Sequence, residues 1–251
     1  MGKMRFLWNN LADTATLTAS SENPDFPLSN LKHSWYLRHH RTTGVTSEWW
    51  KWNLGSAQSI SYFLFWYHNF QSSATIKLQA NSSDLWTAPP LDISLTWNSG
   101  NLIHELSPAQ SYQWWRLWVQ DVGNPDGYLR AGRAYLGGYF EPSRNYSLDW
   151  SRERIDPSEI NESEGGQEAV NTKTNYWIFH FPFPSIIDPD QETFKTISLA
   201  VKNSNPFFIC YDSADKLNTT FYVKAINSWK IDHVFMNKLF KIDSIDLKEE
   251  R

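Results

Sequence analysis

The chain has 251 residues, of which 41% are hydrophobic and 20% charged, a composition typical of a globular protein. The net charge of −4 gives no electrostatic case for nucleic-acid binding, so we expect no nucleic-acid specificity. The single cysteine, Cys210, excludes an internal disulfide and any multi-cysteine metal site. No apolar run approaches the roughly 20 residues of a membrane span, and no signal peptide is visible, so we expect neither.

Strand-like segments, in which bulky apolar residues alternate with polar ones, recur along the first part of the chain. Turn-forming residues separate them, notably at 98–101 and 123–127. Short strands punctuated in this way predict an antiparallel sandwich or jelly roll. The predicted strands are residues 14–19, 49–54, 60–67, 75–80, 91–96, 114–119 and 133–140.

The composition changes near residue 141, because twelve of the fourteen tryptophans lie before residue 151. Residues 188–202 fit an amphipathic helix with an acidic start, although a strand at 196–201 is an alternative. Further strands are predicted at residues 176–183, 207–211, 219–225 and 239–247. We therefore predict a mainly β protein with a β-sandwich at 10–140 and a β-rich domain with one short helix at 141–251, with or without residues 1–9.

Two strands, residues 49–54 and 114–119, contain six tryptophans. Side chains alternate between the two faces of a strand, so Trp50 and Trp52 share a side that Trp49 does not. One face forms the core, and rings on the other would stack on sugars, pack against a subunit or lie under loops. The candidate residues for a glycan or subunit contact are Trp50, Trp52, Trp115, Arg116 and Trp118, with Arg116 placed for a cation–π stack.

Several motifs in order resemble the discoidin, or coagulation factor 5/8 type C, family. They are residues 49–60, which contain a Trp-x-x-hydrophobic-Asn-Leu-Gly-like segment, and residues 115–119, 136–139, 19–22 and 28–31. The likeness covers about residues 10–140 and implies a discoidin/galectin-like jelly roll. Family members often bind glycans or lipid headgroups through loops at one end, sometimes beside a structural calcium. The family's terminal disulfide and hydrophobic loop spikes are absent from this sequence.

A second resemblance spans the whole chain and is to distal-tail or tail-tip proteins of tailed bacteriophages. It is carried by residues 7–21, 27–31, 53–55, 68–69 and 155–167. The resemblance implies a homo-oligomeric ring, a hexamer, that joins the tail tube to the baseplate hub or fibres. The implied partners are tail-tube, tape-measure and hub proteins, and the implied location is the virion, after synthesis in the host cytoplasm.

The polar stretch from 155 to 167 is too hydrophilic to pack and is predicted to be an exposed loop. In an assembly protein such a loop commonly reaches a neighbour, although a plain flexible loop is the alternative. Residues 141–251 with 1–9 would then build the ring, and the jelly roll would project outward. The candidate assembly-loop residues are Asp156, Ser158, Glu162, Gly165 and Gln167.

Catalytic and metal sites have little support in the sequence. His39 and His40 lie near His33, but the charges of Arg38 and Arg41 would repel a cation, which favours a solvated or interfacial loop. Asp188 and Asp190 flank a proline, as in a helix start rather than a glycosidase pair, and no Gly-x-Ser-x-Gly elbow exists. We therefore expect no catalytic residue, no metal and no cofactor, and do not expect an enzyme.

Two functions follow as hypotheses. The first is a structural component of a bacteriophage tail tip, working as a symmetric ring. The alternative is a carbohydrate-binding module that serves attachment to the host surface, with a surface glycan as its partner. The aromatic surplus and the jelly-roll likeness motivate the second hypothesis.

Overall fold

The computed structural model describes residues 2–235 and 238–250, and these divide into two compact units. The sandwich unit is Asn9–Tyr139, and the composite unit combines residues 2–8 with Phe140–Glu250. The sequence predicts 10–140 and 141–251 for the two domains. Each unit has a hydrophobic core of its own.

The regular elements are mostly strands. The helices are α1 (Leu11–Thr14), α2 (Asp188–Val201) and α3 (Lys216–Thr219), with a 3₁₀ helix at Leu28–Lys32. The strands are β1 (Arg5–Leu7), β2 (Thr16–Ala19), β3 (His40–Arg41), β4 (Glu48–Trp66), β5 (Thr75–Asn81), β6 (Leu91–Ser94), β7 (Asn101–Gln120), β8 (Arg130–Ala131), β9 (Arg133–Gly137), β10 (Ser151–Ile155), β11 (Glu159–Glu162), β12 (Glu168–Asn171), β13 (Tyr176–Ile187), β14 (Phe207–Cys210), β15 (Thr220–Ala225), β16 (Ile231–Phe235) and β17 (Leu239–Glu249). None of these helices is long and apolar enough to cross a membrane.

Two long antiparallel strands, β4 and β7, build both layers of the sandwich unit. The first half of β4 pairs with β2 and with the end of β7, and β5 and β6 extend that layer. The second half of β4 pairs with the start of β7 and with β9. Register shifts between Asn53 and Gln58 and between Ile60 and Tyr62 let the strands change direction. The two strands predicted at 49–54 and 60–67 are therefore one bent strand, with Gly55 at a φ of +78° inside the irregularity.

The sandwich core lies between the two layers. The Trp50 and Phe65 ring centroids are 5.0 Å apart, and those of Trp52 and Phe63 are 6.3 Å apart. Burial of each large aromatic contributes roughly 4–6 kcal/mol before entropy losses, at about 25 cal/mol per Å² over 150–250 Å². The prediction of a mainly β protein with a β-sandwich is confirmed.

The composite unit contains one large antiparallel sheet with helix α2 packed against it. Its sheet has the order β1-β14-β15-β17-β13-β10, and β16 pairs with β17. Helix α2 begins with two acidic residues and a proline in its first turn, which suits a helix N-terminus. Phe194, Ile197 and Val201 form its buried stripe at helical spacing, so the predicted helix is correct and the alternative strand is wrong. The Phe194 ring lies 5.0 Å from that of Phe183 on β13.

Candidate functional site

Three of the predicted contact residues lie in the sandwich core. Trp50, Trp52 and Trp115 are each 0% exposed. A ring with no accessible surface cannot stack on a ligand or a subunit, so these three predictions are wrong. The physical reason is that this set of alternating side chains faces the second layer, where Phe63 and Phe65 complete the core.

The accessible face of the same strands, here called the outer face, carries the other tryptophans. Trp49 lies directly opposite Trp118, and both are half-buried, as is Trp114. The Lys51 ammonium lies 5.0 Å from the Trp49 ring centroid and 5.4 Å from that of Trp114. Its Nζ also lies 2.7 Å from Oδ2 of Asp84, and only 14% of the Lys51 side chain is exposed. On the outer face, the Lys51 ammonium is therefore already in contact with two tryptophan rings of the same unit.

Arg116 and Trp118, the remaining predicted contacts, also lie on the outer face. Arg116 Nε donates to Oε1 of Gln79 at 2.8 Å, and its guanidinium lies 4.3 Å from the Trp86 ring centroid. Trp86 comes from the loop between β5 and β6 and covers Arg116. Trp118 donates its indole N–H to Oγ of Ser47 at 3.1 Å. These side chains are partly accessible, but their polar groups already have partners within the unit.

A second group of aromatic and cationic side chains lies in the loops around the short β3–β8 pair. We call it the loop-end cluster, and its members are Phe26, Tyr36, His39, Arg41, Tyr67, Tyr128 and Arg130. The Arg41 guanidinium lies between two rings, 3.6 Å from the Phe26 centroid and 4.4 Å from that of Tyr128. Such contacts contribute roughly 0.5–2 kcal/mol each.

Within the loop-end cluster, His39 contacts both Phe26 and Tyr67. Its ring stacks on Phe26 at 4.9 Å and meets the Tyr67 ring at 5.9 Å, while its Nε2 accepts a hydrogen bond from Nε of Arg41 at 2.8 Å. Burial lowers the pKa of His39, and the charges of Arg41 and Arg130 lower it further. The imidazole therefore stays neutral near pH 7 and acts as an acceptor.

Tyr67 occupies a strained backbone position in this cluster. It follows β4 at a φ of +63°, a region that non-glycine residues rarely adopt. Its ring lies 4.1 Å from the Arg130 guanidinium and 5.3 Å from the Tyr36 ring. Gly132 permits the crowding, because a Cβ there would lie 2.7 Å from both the Tyr36 carbonyl oxygen and the Tyr67 Cβ. Strained conformations of this kind cost about 1–3 kcal/mol and cluster at functional sites.

Asn69 forms hydrogen bonds that hold the segment carrying Tyr128 and Arg130 in place. Its Nδ2 donates to Oδ2 of Asp126 at 2.7 Å and to the Tyr128 carbonyl at 3.0 Å. Its Oδ1 accepts the Arg130 backbone N–H at 2.7 Å. By contrast, the buried Nε of Arg130 has no hydrogen-bond partner in the part of the chain that the structure describes. The cluster is therefore held in place but keeps one donor that no described residue satisfies.

The histidines that suggest a metal site in the sequence point to separate partners. His33 Nδ1 accepts the backbone N–H of Trp35 at 3.0 Å. His40 Nδ1 accepts the Trp50 indole N–H at 3.0 Å in the core. Within residues 2–235 and 238–250, no group of three or more potential ligands is placed to hold a metal ion. Asp190 is buried and accepts the Ser143 backbone N–H at 2.7 Å, so it supports a turn.

The candidate assembly loop is largely a β-hairpin, so the prediction of an irregular loop is wrong, although its exposure is as expected. Strands β11 and β12 pair only with each other, and their side chains are all exposed. Ile160 and Val170 face each other across the pair and are 65% and 56% exposed. Asp156 and Ser158 precede the hairpin, Glu162 ends β11, and Gly165 and Gln167 lie in the connecting turn. The two strands are held by their own backbone pairing and by a hydrogen bond from the Gln167 backbone N–H to Oγ of Ser163 at 3.1 Å.

No protein-family model matches this sequence, and no curated protein matches it either. Among solved structures, a chitosan-binding module from a chitosanase/glucanase of Paenibacillus sp. IK-5 is 22% identical, covers 52% of this chain and 99% of its own, and has a TM-score of 0.43. A fucose-binding module of Streptococcus pneumoniae is 13% identical, covers 53% and 99%, and has a TM-score of 0.43. A family 32 carbohydrate-binding module of C. perfringens is 12% identical, covers 54% and 99%, and has a TM-score of 0.42. Each TM-score is below 0.5, so the ligands of these proteins are not transferred to this chain.

Proposed function

We propose that the protein binds carbohydrate, without catalysis, through the loop-end cluster of the sandwich unit. The observation that supports this proposal is the combination of half-buried rings, among them Tyr36 and Tyr67, with the adjoining guanidinium groups of Arg41 and Arg130. The C–H face of a sugar ring packs on an aromatic ring, and its hydroxyl groups accept hydrogen bonds from guanidinium donors. The cluster offers both kinds of contact at one place.

The loop-end cluster is favoured over the outer face because it contains a hydrogen-bond donor without a described partner and a strained backbone position. The outer-face cations Lys51 and Arg116 have partners in Asp84 and Gln79. At the loop end, the Arg130 Nε is buried without a hydrogen-bond partner among residues 2–235 and 238–250, and Tyr67 is held in a strained conformation. Both features reduce stability, and the binding energy of a ligand on the accessible part of the cluster would offset part of that loss.

A glycan array probed with the full chain tests this proposal. We expect a defined set of saccharides to bind and Tyr67→Asn to lose binding, because asparagine tolerates a positive φ but has no ring. Binding of no saccharide on an array with varied plant, animal and bacterial glycans would overturn the proposal.

We propose assembly as a second function, in which several copies of the composite unit associate. The observation that favours it is the β11–β12 hairpin, whose Ile160 and Val170 are exposed and whose strands pair with no other strand of the described residues. Two-stranded hairpins are marginal on their own in water, so a covering surface would stabilise this one. The setting that the sequence resemblance implies is a phage tail-tip ring of six copies, beside tail-tube, tape-measure and hub proteins, with the sandwich unit facing a host glycan.

Light scattering over a range of protein concentrations, with and without tail partners, tests the assembly proposal. We expect the wild type to reach the mass of a six-copy oligomer, and Ile160→Ser with Val170→Ser to shift it toward monomer. Leu199→Ser is the matched control, because Leu199 is 67% exposed on α2 and removing it leaves the hairpin intact. A wild type that stays monomeric under all conditions contradicts the proposal.

A further inference from the structure

Arg41 and Arg130 lie directly opposite each other in the antiparallel β3–β8 pair. Like charges at opposed positions destabilise a strand pair. The arrangement is supported by aromatic faces: Arg41 lies between Phe26 and Tyr128, and Arg130 lies on Tyr67. These contacts stabilise both guanidinium groups, but they neutralise neither charge.

No carboxylate in the described residues forms a salt bridge with either arginine. Three acidic side chains of the flanking loops accept hydrogen bonds from other groups. Glu22 Oε2 accepts the Leu28 backbone N–H at 2.7 Å, Asp121 Oδ2 accepts that of Gln71 at 2.9 Å, and Asp126 Oδ2 accepts Nδ2 of Asn69 at 2.7 Å. Neither arginine therefore has an ion-pair partner among the described residues.

The positive charge of Arg130 affects the pKa of the neighbouring histidines. Burial lowers the pKa of both His39 and His68, and the positive charge of Arg130 lowers each of them further. Both rings are neutral near pH 7, so neither adds to the positive charge of the two guanidinium groups. A neutral sugar would use their hydrogen-bond donors but leave the charge uncompensated, whereas an anionic group would satisfy both.

We propose that the loop-end cluster recognises an acidic saccharide, one whose carboxylate or sulfate group is bound by Arg41 and Arg130 while its ring packs on the adjoining aromatic side chains. This inference rests on the proposed carbohydrate-binding function and names its ligand class. Planar guanidinium groups suit such anions because two N–H donors meet two oxygen atoms. Screening by salt is expected to weaken the interaction.

Matched pairs of polymers test the inference by isothermal titration of the full chain. Polygalacturonate against its methyl ester isolates the carboxylate, and dextran sulfate against dextran isolates the sulfate. We expect the acidic member of at least one pair to bind at least about tenfold more tightly than its neutral partner. Arg41→Gln and Arg130→Gln should each lose about tenfold or more, and Lys77→Gln, which removes a charge from the outer face, should stay within about twofold.

The outcomes separate the inference from the proposed function. Equal affinity for the acidic and neutral members overturns the acidic-saccharide inference and leaves carbohydrate binding intact. Binding to no saccharide, in this experiment and on the array, overturns both. Thermal unfolding shows whether the glutamine variants fold, and if they do not, the comparison of paired polymers on the wild type decides alone.

Discussion

Trp50 donates its indole N–H to Nδ1 of His40 at 3.0 Å inside the sandwich core, where both side chains are 0% exposed. An accepting Nδ1 must be unprotonated, and burial lowers the pKa of His40 to about 4. His68 resembles it, since its Nδ1 accepts the Phe70 backbone N–H at 3.1 Å and burial lowers its pKa to about 4. The sandwich unit thus folds around two neutral histidines.

The stability of the sandwich unit should therefore fall in mild acid. The unfolded chain takes up protons on these histidines near pH 6.5, whereas the folded unit does so only near pH 4. The free energy of unfolding therefore decreases as the pH falls from about 6.5 to about 4, by up to about 3 kcal/mol per histidine. Urea denaturation at several pH values measures it. His68→Asn, which keeps an acceptor but cannot titrate, should make the dependence shallower, and a free energy that stays constant down to about pH 4.5 would refute the account.

Lys51 should matter more for stability than its position on the sheet surface suggests. Burial alone would raise the pKa of Asp84, but hydrogen bonds from Lys51 and Trp86 lower it below its ordinary value. Lys51→Ala removes this ion pair and the contact with Trp49 and Trp114, so we expect a loss of about 1–2 kcal/mol in urea denaturation.

Lys77→Ala is the control for Lys51→Ala. Lys77 pairs with Asp92 on the same face, but both side chains are about one-third exposed, at 34% and 35%. Such a pair contributes about 0–1 kcal/mol, so its loss should have the smaller effect. Equal losses for the two variants would show that Lys51 acts as an ordinary surface charge.

The two faces of α2 give a stability test of the composite unit. Phe194 is 0% exposed and meets the Phe6 and Phe183 rings at 5.5 Å and 5.0 Å, so Phe194→Ala should cost about 3–5 kcal/mol. Leu199 on the same helix is 67% exposed, and Leu199→Ala should change stability by less than about 0.5 kcal/mol. Calorimetry of both variants measures this, and similar midpoints would contradict the assigned core.

Local patterns in the sequence were enough for some elements and not for others. The acidic start and apolar spacing predict α2, and alternation predicts that Trp50 and Trp52 share a face. Alternation alone does not say which face is the core, because that depends on the second layer, built from distant residues such as Phe63. For this reason the contact predictions at Trp50, Trp52 and Trp115 were wrong.

The loop-end cluster lay beyond prediction for a related reason. Phe26, Tyr67 and Tyr128 come from three separate loops, and only the fold brings them to Arg41 and Arg130. No spacing pattern along the sequence indicates that these side chains are in contact. Strands β11 and β12 were also missed, since their exposed side chains show no alternation between apolar and polar positions.

The most direct test of carbohydrate binding at the loop end is a titration of the best array ligand into three proteins: wild type, Tyr67→Asn and Trp118→Ala. We expect wild type and Trp118→Ala to bind alike, because Trp118 lies on the outer face, and Tyr67→Asn to bind at least about tenfold more weakly. Loss of binding in Trp118→Ala with full binding in folded Tyr67→Asn would contradict the account, and would place the site on the outer face instead.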